Sequence, residues 1–545
     1  MLAFGTIAVL LTLIAALVLQ GMTARPAAPD LPGWMVALIS VAIGLFLPAL
    51  VAAFAVVIAT IADAISPGAP SPNLGAGALI AAILGAPFVI WGTVLKYQTV
   101  RYQKEGHITD RISKAVEQLG AEKVVKADGQ ERSARNIEVR IGGLLSLERI
   151  SQDSVKYDNG RDHVRVMEII CAYVRNNAPA SSAQQSPEDI WDKAYQEALE
   201  WAEEAAARDP RDWSENEIAF QASNRAAETC GIVPLDLDEI MESWAKSLPK
   251  PREDIQFALS ILGRRDIEQR SIEARTGTDD EANAEWVFSA PCPLLSDPTD
   301  ARSEAQDLLR WRHKFSEWEG KISKYRGYRL DLRGTNLQKC DMTQADLSRA
   351  CLDGSYLDGA SLRHGTFTAA SLIGAHLQKA DLDSARLPAA TLDQADLRKS
   401  SLNGANFAGS SFRGTDLSET DIAEAAFWGA KLIQTKMVFA KAHLTRLQGA
   451  TLYGANLRCM SAAGLKLFGV RLFGQSLEGL TGLTQEQLNG TFASPSVTLS
   501  AGLTRPQHWQ DSSGDWGQFN ADVDFDDEYE RWLSNPETYT PPPTP

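Results

Sequence analysis

From Leu332 to Leu477 an apolar residue returns at nearly every fifth position, and no other feature constrains this chain as tightly. The series opens Leu332, Leu337, Met342, Leu347, Leu352 and continues through Phe407, Phe412, Leu417, Ile422 and Phe427. It passes Ala442 and Ala462 and closes with Leu467, Leu472 and Leu477. Two residues before most members stands something small, such as Ala345, Ala350, Ser355, Ala360 or Gly365. A period of five matches neither the 3.6 of a helix nor the 2 of a strand. The segment is therefore a repeat architecture, which has to be recognised before other elements are placed. Solenoid surfaces bind more often than they catalyse, so the functional expectation tilts toward binding.

The words Ala345-Asp346-Leu347, Ala380-Asp381-Leu382 and Ala395-Asp396-Leu397 closely resemble the pentapeptide-repeat family. The resemblance implies a right-handed, four-sided β-helix with four pentapeptides per coil, spanning residues 328–480. Side chains twenty apart then stack: Leu387, Phe407 and Phe427 on one side, Leu352, Leu372, Leu392 and Phe412 on another. Coils at a strand spacing of roughly 4.8 Å give a rod of roughly 35 Å. A solenoid of this kind needs caps at its terminal coils.

The net charge of −16 is unevenly spread. Residues 1–180 carry about +2, 181–325 about −14, the repeat (326–480) about +4 and the tail about −8. A known activity in the family is protection of DNA gyrase by a rod that imitates acidic DNA. This rod is slightly basic, with Lys431, Lys436, Lys441 and Arg446 in register, so nucleic-acid mimicry is disfavoured and nucleic acid is not an expected partner. Six dispersed cysteines (Cys171, Cys230, Cys292, Cys340, Cys351, Cys459) fit a reducing compartment.

Residues 1–100 hold three uncharged apolar stretches, about 2–19, 34–62 and 77–95, each long enough for a bilayer core of roughly 30 Å. The third is followed by Lys96, Arg101, Lys104, Arg111 and Lys114, whereas the second is followed by Asp63 and no basic residue. The positive-inside rule then places the C-terminal part in the cytoplasm and the N-terminus outside. Without charges inside the spans, the segment is expected to anchor the chain in lipid, in a bacterial inner membrane. A cleaved signal peptide over 1–19 is the rival reading, disfavoured because a basic n-region is missing.

Residues 101–180 read as a juxtamembrane helical hairpin, with stripes Ile137, Ile141, Leu144 and Val164, Met167, Ile170. Words such as Leu147-Glu148-Arg149-Ile150 and Leu262-Gly263-Arg264-Arg265 resemble membrane-anchored bacterial pentapeptide-repeat proteins of unassigned function. Residues 181–327 form an acidic helical region. It ends in the stripe Leu308, Trp311, Phe315, Trp318 and Ile322, which lies directly before the first coil. This stripe is expected to cap the open β edge. Residues 481–510 read as a C-terminal cap, and the acidic tail 511–545 as disordered.

No phosphate loop, dinucleotide fingerprint or zincin motif is present, and no two histidines stand at metal-ligand spacing. Asp522, Asp524, Asp526 and Asp527 resemble the start of a calcium loop, but Asp527 stands where glycine is needed. No catalytic, cofactor-binding or metal-binding residue is expected. What does emerge is an apolar run at the position after the central residue: Trp428, Ile433, Val438, Tyr453, Phe468 and Phe473. These could form an outward patch that marks a contact site, or be covered by the chain's own segments.

The expectation is a multidomain, non-enzymatic scaffold: transmembrane helices, a helical juxtamembrane region and a β-helix displayed to a protein partner of unknown identity. Homo-oligomerisation is compatible with it. The alternatives are a DNA-mimicking gyrase or topoisomerase partner, and an enzyme or channel. The last would require a buried polar cluster in the helical region or between the spans.

Overall fold

The computed structural model describes residues 108–127, 130–209, 213–277, 284–296, 301–509 and 521–541, with Ala55, Gly92, Thr93, Leu95 and Lys96. The three expected membrane spans lie outside the described residues, apart from those isolated positions. Among the described residues no helix is long and apolar enough to cross a membrane. The chain divides into two compact units, Met1–Asp110 and Arg111–Pro545, and the second holds the helical region and the repeat.

The second unit carries a hairpin that no sequence pattern had suggested, β1 (Glu122–Ala127) antiparallel to β2 (Gln130–Arg135). The expected helical hairpin comes next as α1 (Ile137–Asp158) and α2 (His163–Asn177). Asn159 ends α1 in the left-handed conformation that asparagine tolerates better than most residues. An acidic arm succeeds it: α3 (Pro187–Arg208), α4 (Glu215–Cys230) and α5 (Leu237–Ser247). Ala194, Ala198 and Ala202 of α3 meet Ala222 and Ala226 of α4, so the two helices approach closely. Then come α6 (Glu253–Gly263), α7 (Ile267–Arg275) and the long α8 (Ala301–Ser323).

The repeat is a β-helix. Parallel bridges link residues twenty apart, from Asp331↔Cys351 through Asp396↔Asp416 to Ser461↔Thr481. Four bridges per coil define four sides, each identified by its central residues. Face A carries Leu332, Leu352 and onward to Leu472; face B Leu337 to Leu477; face C Met342 to Ala462; face D Leu347 to Leu467. The central side chains are buried except Leu467, which is half-buried, and Phe407 stacks on Phe427 with centroids 5.1 Å apart. On face A the bridges lengthen into strands β3 (Lys431–Ile433), β4 (Thr451–Tyr453) and β5 (Arg471–Phe473), joined by β6 (Phe492–Ala493). Two residues after each centre the backbone turns left-handed, as at Gly409 (φ 65°) and Lys379 (φ 58°).

The first coil is not capped by the Leu308–Ile322 stripe. Its outward-facing N–H groups need acceptors that no preceding coil supplies. The Asn336 amide donates to the Ala178 carbonyl (2.7 Å), that of Asp341 to Gln256 Oε1 (2.9 Å), and that of Asp346 to the Gly263 carbonyl (2.9 Å). The cap is thus built from the C-terminal end of α2 and from α6. At the far end α9 (Gln485–Asn489) closes the last coils, with Gln487 Nε2 donating to the carbonyls of Ala462 and Leu465.

The tail also departs from expectation. Ala521–Ser534 form helix α10, and Phe525, Tyr529, Trp532 and Leu533 are buried. Its aromatic residues outweigh its acidity: Trp532 packs on Phe468 and Phe492, and Tyr529 donates to the Gly469 carbonyl (2.8 Å). Asp526 pairs with Arg471 at 2.7 Å as part of this docking.

Candidate interaction surface

The four faces differ in what covers them, and that difference decides which side chains can meet a partner. Face D is closed along its length. Its outward residues Ser348, Thr368, Ala408, Trp428, Gln448 and Phe468 are all buried. Helix α8 lies over them, running against the direction in which the coils ascend. Leu308 sits at Gly449 and Gly469, Trp311 at Gly429 and Phe315 at Gly409. A methyl group on Gly409 or Gly469 would collide with these side chains.

A simple length match explains the fit. Apolar residues at spacings of 3 and 4 recur about every 5.2 Å along a helix, close to the coil spacing of roughly 4.8 Å. One helix side chain therefore meets one coil. The stripe expected to cap the end instead straps the side.

Face B is closed over its early coils by the acidic arm. Arg398 contacts Asp189 and Asp192 of α3 at 2.7 Å each, besides Asp396 at 2.6 Å. Lys399 joins Asp238 of α5 (2.7 Å) and Glu188, while Lys379 joins Glu242. Burial raises the Glu188 and Asp189 carboxyls above their ordinary range, against the pull of these cations. Beneath them Asp358 is buried, accepting from Gln338 Nε2 (2.9 Å) and the Gln378 amide (3.0 Å), and burial pushes it up to about 7.

The same place brings together Asp189, His376 and Asp396, whose ligand atoms lie within 4.8 Å of one another. Local spacing along the chain gives no sign of this trio. Such a donor set could hold a metal ion. However, the Arg398 guanidinium already bonds both carboxylates, so the arrangement acts first as an ion-pair clasp between arm and rod.

Face A is open. Its outward ladder reads Arg333, Asp353, Ile373, Asp393, Arg413, Ile433, Tyr453 and Phe473, and every member is exposed or half-buried. Ile373 is 41% exposed and Tyr453 44%. The six residues singled out from the sequence fall on three faces. Trp428 and Phe468 lie on closed face D, Val438 lies half-buried on face B, and Ile433, Tyr453 and Phe473 form consecutive rungs of face A. Phe473 is half-covered by Phe525 of α10 (centroids 5.4 Å), and Tyr453 stacks on it at 5.2 Å. Their shared position in a five-residue unit hid a twenty-residue geometry.

A buried polar cluster, the feature required by the enzyme alternative, is present in the helical region. Ser151 Oγ lies 2.7 Å from His163 Nδ1, His163 Nε2 lies 3.0 Å from Glu273, and Arg265 bonds Glu273 at 2.6 and 2.8 Å. Burial opposes the Glu273 charge, but Arg265 and then His163 outweigh it and hold the carboxyl below its usual range. Ser151 and His163 are fully buried, so a substrate could not reach this serine. The cluster ties α1, α2 and α7 together. A cavity of about 20 Å³ inside the last coils, lined by Leu452, Leu472 and Leu488 among others, is about the size of one water.

Residues 328–363, 366–404 and 400–437 match the family model described as pentapeptide repeats, in eight copies. No curated protein sequence matches the chain. Among solved structures it is similar to HetL, a pentapeptide repeat protein involved in heterocyst differentiation regulation in Nostoc. The identity is 22%, covering 35% of this chain and 93% of that one, with a TM-score of 0.20. QnrB1, a plasmid-mediated fluoroquinolone resistance protein, matches at 19% identity over 30% of this chain and 79% of its own, TM-score 0.19. A pentapeptide repeat protein of the Arabidopsis thaliana thylakoid lumen matches at 21% identity over 24% and 69%, TM-score 0.11.

Proposed function

We propose that this chain, a pentapeptide-repeat protein, is a non-enzymatic scaffold anchored in a bacterial inner membrane, which presents face A of its β-helix to a protein partner in the cytoplasm. One observation carries the reading: the chain closes face D and the early part of face B with its own helices, while face A stays uncovered from Arg333 to Tyr453 and carries the apolar rungs Ile373, Ile433 and Tyr453. Face C is uncovered too, but its ladder of Thr343, Arg363, Asp383, Asn403, Ala423, His443 and Ala463 offers no large apolar group, so face A is the open side suited to a protein contact. The three uncharged stretches before residue 100 and the basic residues that succeed them support the anchor.

The DNA-mimic alternative fits face A poorly. A mimic needs continuous negative charge, and this ladder alternates Arg333, Asp353, Asp393 and Arg413 with apolar rungs. The test is affinity capture of the full chain from native membranes, run beside Ile433→Asp and Tyr453→Asp variants. A partner retained by the native chain and lost by both variants supports display through face A. A partner held equally by all three would overturn it.

A further inference from the structure

We propose that the partner of face A is a second copy of this chain, paired antiparallel about a two-fold axis that crosses the rods between Asp393 and Arg413. The inference rests on the display reading in taking face A as the working surface and the chain as held in a membrane. A two-fold axis lying between two facing surfaces, perpendicular to the rods, sets each ladder against itself in reverse order, with lateral position preserved.

In that arrangement the rungs match one by one. Asp393 meets the partner's Arg413, and Arg413 the partner's Asp393. Ile373 meets the partner's Ile433, both of them apolar side chains that are not buried in the single chain. Next outward, the Asp353 carboxylate faces the phenol of the partner's Tyr453, a donor for an acceptor. At the ends Arg333, held by Asp331 of its own chain, faces the partner's Phe473, whose ring is half-covered by Phe525.

The ladder on the other side is mostly glycine, and its two glutamines find gaps: Gln394 faces the partner's Gly414, and Gln434 the partner's Gly374. A parallel pairing would set like against like, Arg333 on Arg333 and Asp393 on Asp393. The Arg413 guanidinium makes no ion pair among the described residues, so it is available for this contact.

Seven coil steps from Arg333 to Phe473 span about 34 Å. A strip of that length, one β-helix side wide, buries less than the roughly 800 Å² per partner of a standard complex. The association is therefore concentration-dependent. Confinement to a membrane raises the effective concentration and lets a weak contact operate.

The experiment is light scattering and sedimentation of the full chain in detergent across a concentration series. Asp393→Arg alone and Arg413→Asp alone are each expected to weaken self-association about tenfold or more. Mixing the two single variants is expected to restore it, because only between unlike chains do the new charges oppose each other. Arg413 is exposed, whereas Asp393 is half-buried and accepts from Ser411 Oγ and the Arg413 amide. Asp393→Asn, which keeps an acceptor there, is therefore run beside Asp393→Arg, and circular dichroism is expected to stay native in all three variants.

As a second measurement, Ile373→Cys mixed with Ile433→Cys is expected to form a disulfide-linked pair that neither variant forms alone. A chain that stays monomeric, or a dimer indifferent to both charge changes, would overturn the proposal. If the chain is monomeric while Tyr453→Asp still abolishes capture of a different protein, display through face A stands and self-pairing falls.

Discussion

The indole of Trp311 meets that of Trp428 edge to face, with centroids 6.4 Å apart, and this contact lies in the middle of the seam between helix α8 and face D. Both rings are buried, and Trp311 Nε1 donates outward to the Pro293 carbonyl at 2.9 Å. The contact makes Trp428 a structural residue, although its outward position in the repeat had suggested a display residue.

Trp428→Asp should therefore destabilise the fold rather than silently remove an interface. Truncating a buried tryptophan costs about 3–5 kcal/mol, and a buried carboxylate without a partner adds to that. Chemical denaturation should show the loss. Limited proteolysis should show faster cutting around residues 284–296 as the strap lifts. Tyr453→Asp, on open face A, should change stability by less than about 0.5 kcal/mol.

Removal of residues 521–545 should expose Phe468, Phe473 and Phe492, which α10 now covers. A fresh aromatic patch on the last coils should bind a hydrophobic dye and promote aggregation. Unchanged dye binding would mean that α10 does not dock.

Gln256→Ala should fray the first coil. Gln256 accepts from the Asp341 amide at 2.9 Å and donates to the Asp341 carbonyl at 2.6 Å. Losing both leaves two backbone groups to find water, at roughly 1–2 kcal/mol. Hydrogen exchange should quicken at residues 331–346 and stay slow in the middle coils.

Asp358 should make stability fall with rising pH. Its folded pKa of about 7 lies above the unfolded value, so the native state binds the extra proton. Stability is then highest below about pH 4 as far as this group is concerned, declines between about pH 4 and 7, and stays reduced above. Asp358→Asn, which carries no titrating proton, should flatten that decline. Parallel pH profiles of the two proteins would contradict the assignment.

The five-residue period made the β-helix legible because one side chain per side must fill its interior. What covers that helix was harder to read. The stripe Leu308–Ile322 announced a buried helix face, yet not what it would lie against, and adjacency in sequence suggested the nearest coil. A signal was present at a period of twenty. After Arg349 in the first coil, the face D residues two after the centre run Ala369, Ala389, Gly409, Gly429, Gly449 and Gly469, all small, whereas face B has Lys379 and Lys399 there. A column of small residues down one side is what a strapping helix needs.

The clasp at Arg398 and the cluster around His163 were illegible for another reason. Their members lie up to 209 and 122 residues apart, respectively, and only the fold brings them together. In the tail, charge counting hid the aromatic residues Phe525, Tyr529 and Trp532, which recur along one helical face.

The measurement that bears most directly on the central claim is site-specific photo-crosslinking in native membranes. A photoreactive phenylalanine analogue would replace Tyr453 or Ile373 on face A and, separately, Arg458 on late face B or His443 on face C. Intermolecular adducts from positions 453 and 373, with none from 458 and 443, are the expected result. Adducts from 458 or 443 with none from face A would contradict it.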